Sequence, residues 1–256
     1  MITLIFFCTI AEGLRGKRAE QWKLIDELIP RSKFSETVEK RAMEISDRSS
    51  RPVGEKGIEI TDLIKELDEN SITYENILIS LDRQSGIVYI TIKGPSGDLP
   101  VDPESIATLG VKYWPLALAR DLDDAIIHLS FNELELGTWV FRSVGDIDIV
   151  ADVDEILIKH KDHWLINEII QYLKRVLKRL DLASRSLVTL VEPGSCFAGT
   201  LLELVFAADR SYMLDGIFED SSEPPAVMRT TEMNFGNLPM CNGLTRLQTR
   251  FLNQPE

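Results

Sequence analysis

The sequence predicts an α/β fold, and three observations carry that prediction. Apolar, β-branched runs at Ile77–Leu81, Ile87–Ile92 and Leu187–Val191 have the length and composition of strands. Stretches with apolar residues three and four apart, Leu116–Leu129 and Lys161–Leu180, lie between them and read as helices. Leu187–Leu214 orders a strand, a glycine turn, an apolar helix and a second strand into one short unit, the pattern of a βαβ crossover.

Residues 1–52 are predicted to be helical. The run Ile2–Ile10 is too short to cross a bilayer. It has no basic residue before it, while Arg15, Lys17 and Arg18 follow, so it reads as a buried segment rather than a secretion signal. Lys17–Ile29 places Ala19, Trp22, Ile25 and Leu28 on one helical face, with Pro30 as its stop. Phe34–Ser46 carries a second stripe of Phe34, Val38, Ala42 and Ile45. The Gly-rich stretch that opens 53–71 reads as a linker, and 72–256 as the main core.

In that core, the two apolar runs around Asp82–Gly86 predict a hairpin, and Lys93–Pro103 a loop. Pro115 suits the first turn of a helix whose inner face is Leu116, Ala119, Leu122, Ala125, Ile126 and Leu129. Thr138–Phe141 is a short buried strand, and Val144–Asp154 reads as an acidic loop. Lys161–Leu180 turns Trp164, Ile169, Leu173, Val176, Leu177 and Leu180 inward. Its last turns hold Lys174, Arg175, Lys178 and Arg179, where the helix dipole favours cations. Trp114, Trp139 and Trp164 are core anchors.

A formal charge of −13 argues against nucleic acid, whose phosphates would repel the chain. Three cysteines without paired or metal-type spacing fit reduced thiols in the cytoplasm. Ser195 and Cys196 lack the pattern of an activated nucleophile. His160 and His163, three apart, are a helix surface before they are a metal site.

The chemistry concentrates after Leu187. The turn Glu192–Ser195 leads to Cys196-Phe-Ala-Gly199-Thr200 and then an apolar helix, whose free N–H groups favour negative charge. Glu203 sits in the first turn. One reading makes it an acid or base beside those donors; the other makes Thr200-Leu-Leu-Glu203 a capping box. Glu232, further on, is either a second site carboxylate or an exposed loop residue. Asp209 ends the helix as a structural residue.

These residues also carry a resemblance. Ala198-Gly-Thr200-Leu-Leu-Glu203 through Asp209 resembles the glycine-helix-Asp signature of the crotonase (enoyl-CoA hydratase/isomerase) superfamily. Glu232, Gly236, Pro239, Gly243 and Arg246 resemble its second signature, with Thr231 in place of a leading Pro. Glu192–Thr200, His160–Trp164 and Trp114–Asp124 are similar to the benzoyl-CoA-dihydrodiol lyase branch. The resemblance implies a crotonase-like ββα superhelical spiral, incomplete and preceded by helices. It implies an acyl-CoA substrate whose oxygenated, dearomatised benzoyl ring is cleaved with release of formate. CoA enters as part of the substrate, and no metal or redox cofactor is implied.

By residue, the resemblance makes Glu203 and Glu232 catalytic, and places Gly199 and Thr200 in the run that supplies one backbone donor, Thr200 N–H, to the thioester oxygen. It places Asp152 in the loop that supplies the other donor, and Gly236 at the substrate. Val150-Ala-Asp152-Val153 departs from that loop's usual Gly-Ala-Asp wording, and Ala-Gly199-Thr200 from a triple glycine. Gly16–Glu27 resembles the stretch that follows a crotonase core, so 1–52 is expected to be the helical tail of a preceding unit. Residues 72–256 would then be a second core without its C-terminal helices. A homo-oligomer is expected of the full-length protein, with no membrane partner. The same departures leave open a non-catalytic, scaffolding half or, less specifically, a generic hydratase or isomerase.

Overall fold

A computed structural model describes residues 13–50, 53–54, 56–217 and 224–252. The run Ile2–Ile10, read as a buried segment, lies outside the described residues. The chain divides into two compact units, Met1–Gly54 and Glu55–Glu256. In the first, α1 (Lys17–Gln21) and α2 (Phe34–Asp47) are the α-helices described. The helix expected over Lys17–Ile29 is therefore shorter. Lys23 takes a left-handed φ of 56°, and Leu24 N–H reaches back to Ala19 O while Lys23 N–H bonds Glu20 O. That is a Schellman stop, reached well before Pro30.

The second unit is built on one seven-stranded sheet, in the order β1 to β7. The strands are β1 (Lys65–Leu67), β2 (Ser71–Tyr74), β3 (Ile77–Asp82), β4 (Ile87–Lys93), β5 (Thr138–Val144), β6 (Ser186–Val191) and β7 (Arg210–Met213). β1 to β4 are antiparallel neighbours, and β4 to β7 are parallel. The α/β class holds, and the chain advances through the sheet without doubling back. The stretch 53–71, read as a linker, supplies β1. Its Lys65 pairs with Asp124 at 2.6 Å, a tie to a distant helix that composition does not reveal.

The expected hairpin forms, with Ile79 opposite Ile90. Ile77, Ile79 and Leu81 on β3 and Val88, Ile90 and Ile92 on β4 face inward, as period-2 alternation demands. β5, covered on both faces, buries Trp139, Val140 and Phe141 in succession, the signature of a parallel strand. Its Trp anchor is fully buried.

Helices occupy each parallel crossover. Between β4 and β5 lie α3 (Pro103–Leu109), capped by Asp102, and α4 (Trp114–Asn132). The inner face foreseen for α4 is buried throughout. Between β5 and β6 lie α5 (Ile147–Lys159) and α6 (Trp164–Asp181). The acidic loop expected over Val144–Asp154 is instead the end of β5 and the start of α5. Asp146 caps that helix by accepting the N–H groups of Asp148 and Ile149. Val150, Ala151, Val153 and Leu157 fill its inner face, leaving Asp152 and Glu155 on the outside. The stretch is one end of an amphipathic helix, not a loop, and of its acidic residues Asp154 alone turns inward.

His160 and His163 sit in the turn between α5 and α6 rather than on one helix face; His163 N–H bonds His160 O. α7 (Gly199–Ala207) joins β6 to β7, completing the foreseen βαβ unit. Asp209 Oδ2 accepts Leu187 N–H at 2.8 Å, the structural role expected of it. After β7 come a 3-10 turn, Glu232–Asn234, and α8 (Arg246–Arg250).

Candidate active site at the start of α7

The loops leaving β4, β5 and β6 meet at one end of the sheet, the end where open α/β sheets bind ligands. Gly94 and Gly145 touch there backbone to backbone. A Cβ on Gly145 would lie 3.1 Å from Gly94 Cα. Gly94 N–H donates to Val144 O, and Gly145 N–H to Gly194 O. The start of α7 opens beside this junction.

Glycine is required at 199. Its φ is +40°, and a Cβ there would overlap Asp154 Oδ2 and Thr231 Oγ1. Asp154, from α5, is 1% exposed. Its carboxylate accepts Thr200 N–H at 2.8 Å, Thr200 Oγ1–H at 2.6 Å and Thr231 Oγ1–H at 2.8 Å. Burial pushes its carboxyl up to about 6, against the pull of those three donors, and Glu203 adds to the rise. Gly199 N–H donates to Arg229 O. The N–H groups of Gly199 and Thr200, the run to which the resemblance assigns one donor to a thioester oxygen, are thus both bonded within the chain.

Glu203 lies one turn further along. The expected capping box does not form: Ala198 is the N-cap, and Thr200 and Glu203 are both inside the helix. Glu203 Oε1 accepts Asn234 Nδ2–H at 2.7 Å, and Oε2 accepts Arg246 Nη1–H at 2.8 Å. Arg246 also clamps Asp181 with Nε and Nη2, at 2.8 and 2.7 Å, the bidentate geometry guanidinium favours. Burial pushes the Glu203 carboxyl up; the bonds from Asn234 and Arg246 pull it back. Asn234 spans both clusters, since its amide also donates to Gly199 O.

Glu232 stands apart from them, exposed in the 3-10 turn. Thr231 caps that turn by accepting Met233 N–H. Gly236 is exposed with φ +112°, and Asp152 is exposed on α5. The structure therefore gathers Gly199, Thr200 and Glu203, and leaves Glu232, Gly236 and Asp152 on the surface. It adds Asp154, Thr231, Asn234, Arg246 and Asp181. The one signal for Asp154 was an acidic residue in phase with Val150 and Leu157, visible only once α5 is read as a helix.

A cleft of about 540 Å³ opens nearby, lined by Gly145, Asp146, Asp148, Gly194, Ser195 and Pro224. Its carboxylates suit an anionic CoA poorly; Asp148 is paired with Arg229 at 2.7 Å. Among the described residues no group of three His, Cys, Asp or Glu is placed to hold a metal ion. No helix among them is long and apolar enough to cross a membrane.

No family model matches the chain. A benzoyl-CoA-dihydrodiol lyase from Aromatoleum evansii is 43% identical over 248 residues, which is 97% of this chain and 44% of the lyase. The chain is homologous to part of that lyase. It spans less than half of the lyase's length. An enoyl-CoA hydratase from Geobacillus kaustophilus HTA426 matches 56% of this chain and 47% of its own, at 13% identity and a TM-score of 0.36. One from Bacillus halodurans matches 54% of this chain and 49% of its own, at 17% identity and 0.34.

Proposed function

We propose that this chain forms part of an acyl-CoA lyase of the benzoyl-CoA-dihydrodiol type. The reaction would open an oxygenated, dearomatised benzoyl-CoA ring and release formate. Homology across nearly the whole chain, at 43% identity, carries this reading. CoA would enter with the substrate, and the proposal needs no metal or redox cofactor. A cytoplasmic, homo-oligomeric full-length protein belongs to the same proposal.

Within that enzyme, the geometry favours a shaping role for this half over a reacting one. Glu203 is the observation behind this second reading. Its two oxygens each accept a bond, from Asn234 and Arg246, and its side chain is 1% exposed, so the carboxylate is held inside the protein rather than presented to a substrate. A general acid or base must reach the proton it moves.

The test uses the full-length protein that carries this chain, assayed for formate release by mass spectrometry. Formate from the oxygenated thioester supports the lyase assignment; none from any benzoyl-CoA derivative sinks it. Glu203→Gln and Glu232→Gln then separate the two roles. Turnover within a few-fold of the parent in both supports shaping. Losses of about 100- to 10,000-fold would return the chemistry to this half.

A further inference from the structure

We propose that Asp154 is the built-in occupant of the anion site at the start of α7, and that it closes this lobe to thioesters. The proposal rests on reading that helix start as the counterpart of a thioester-oxygen site. A helix N-terminus with inward N–H groups is a ready place for an anion. Here three donors from two segments, Thr200 N–H, Thr200 hydroxyl and Thr231 hydroxyl, converge on one side chain from a third. The space that glycine provides at 199 is taken by Asp154 and Thr231, not left for a ligand. Gly199 N–H is turned to Arg229 O, so no second backbone donor remains at that position.

Displacement from outside is uphill for two reasons. Asp154 is tethered on α5, so its effective concentration at the site exceeds that of a dissolved thioester. A thioester oxygen is also neutral before reaction, and would exchange charge-assisted hydrogen bonds for weaker ones. The ionisable groups that bear on Asp154 are Glu203 of α7, itself paired with Arg246, and Tyr113, just before α4. The Tyr113 hydroxyl is buried without a hydrogen-bond partner among the described residues, and burial together with the Asp154 charge raises its titration.

The amide proton of Thr200 reports on the occupant directly. In the whole chain, labelled with nitrogen-15, that resonance should move upfield as pH falls through about 6. It should lose this titration in Asp154→Asn, and stay unmoved when benzoyl-CoA is added to the parent. In Asp154→Ala, sodium acetate should raise the melting temperature, as a free carboxylate refills the site, and should not do so in the parent. If Asp154→Ala does not fold, the parent titrations and Asp154→Asn decide. A Thr200 shift on adding benzoyl-CoA to the parent, or a Thr200 titration surviving in Asp154→Asn, overturns the proposal. Absence of formate release by the full-length protein would remove the lyase assignment and leave these amide results standing.

Discussion

Arg246 and Glu203 meet at 2.8 Å, and the side chain of each is 1% exposed. The same guanidinium holds Asp181 at the end of α6. One cation thus joins α6, α7 and α8 in the interior, where the attraction between charges is little screened and the cost of leaving one unpaired is high.

Removing the cation should be the most damaging change in this cluster. Arg246→Met leaves Glu203 and Asp181 as buried carboxylates without a counter-charge, at a cost of about 3–5 kcal/mol. Glu203→Gln can still accept from Asn234 and leaves the Asp181 pair intact, so it should cost about 1–2 kcal/mol. Urea denaturation measures both. Equal losses would show that Arg246 does not serve the two carboxylates together.

Asp154 should imprint a pH dependence on stability. Its folded pKa of about 6 stands above its ordinary value of 3.8, so the folded state holds the proton more tightly than the unfolded chain. The contribution is complete below the unfolded pKa and is lost as pH rises through about 6. The swing is on the order of 3 kcal/mol. Unfolding free energies of the parent and Asp154→Asn should therefore diverge between pH 4 and pH 7, with the parent showing the steeper fall. Parallel curves would refute this.

Gly199→Ala should destabilise by roughly 1–3 kcal/mol, the range for overpacking a tight interior position. Part of that cost comes from the clash with Asp154. In an Asp154→Gly background the added methyl should cost less, and a double-mutant cycle should return a coupling of about 1 kcal/mol or more. Additive losses would place the strain in the φ of residue 199 and the Thr231 hydroxyl rather than in Asp154.

Glu232→Gln should leave the melting curve almost unchanged, within about 0.5 kcal/mol, because the side chain is exposed and stands outside both buried clusters. A loss several times larger would point to a contact made by this carboxylate in the folded protein.

Regular periodicity made much of the sheet and its long helices legible. β3, β4 and β6, and the inner faces of α4 and α6, follow from apolar spacing because each buries one continuous stripe. α5 was missed because Asp146, Asp148, Asp152 and Glu155 mask a stripe that is apolar except at Asp154. The site was legible as a place, not as an arrangement. Glu203 admits two roles from local sequence, and the structure shows a third, because its partner Arg246 lies 43 residues away. Asp154 reaches Thr200 across 46 residues and Thr231 across 77. Hydrogen bonds of that span leave no periodic trace in the chain.

The strand order has a consequence for how the molecule comes into being. Each strand lies beside the one made just before it. A lengthening chain can therefore lay every new strand on an edge already in place, and no early strand waits, unpaired, for a late one. Exposed edges are where unfinished sheets stick to one another. Here only the newest strand presents one on the growing side, until the next strand in sequence pairs with it.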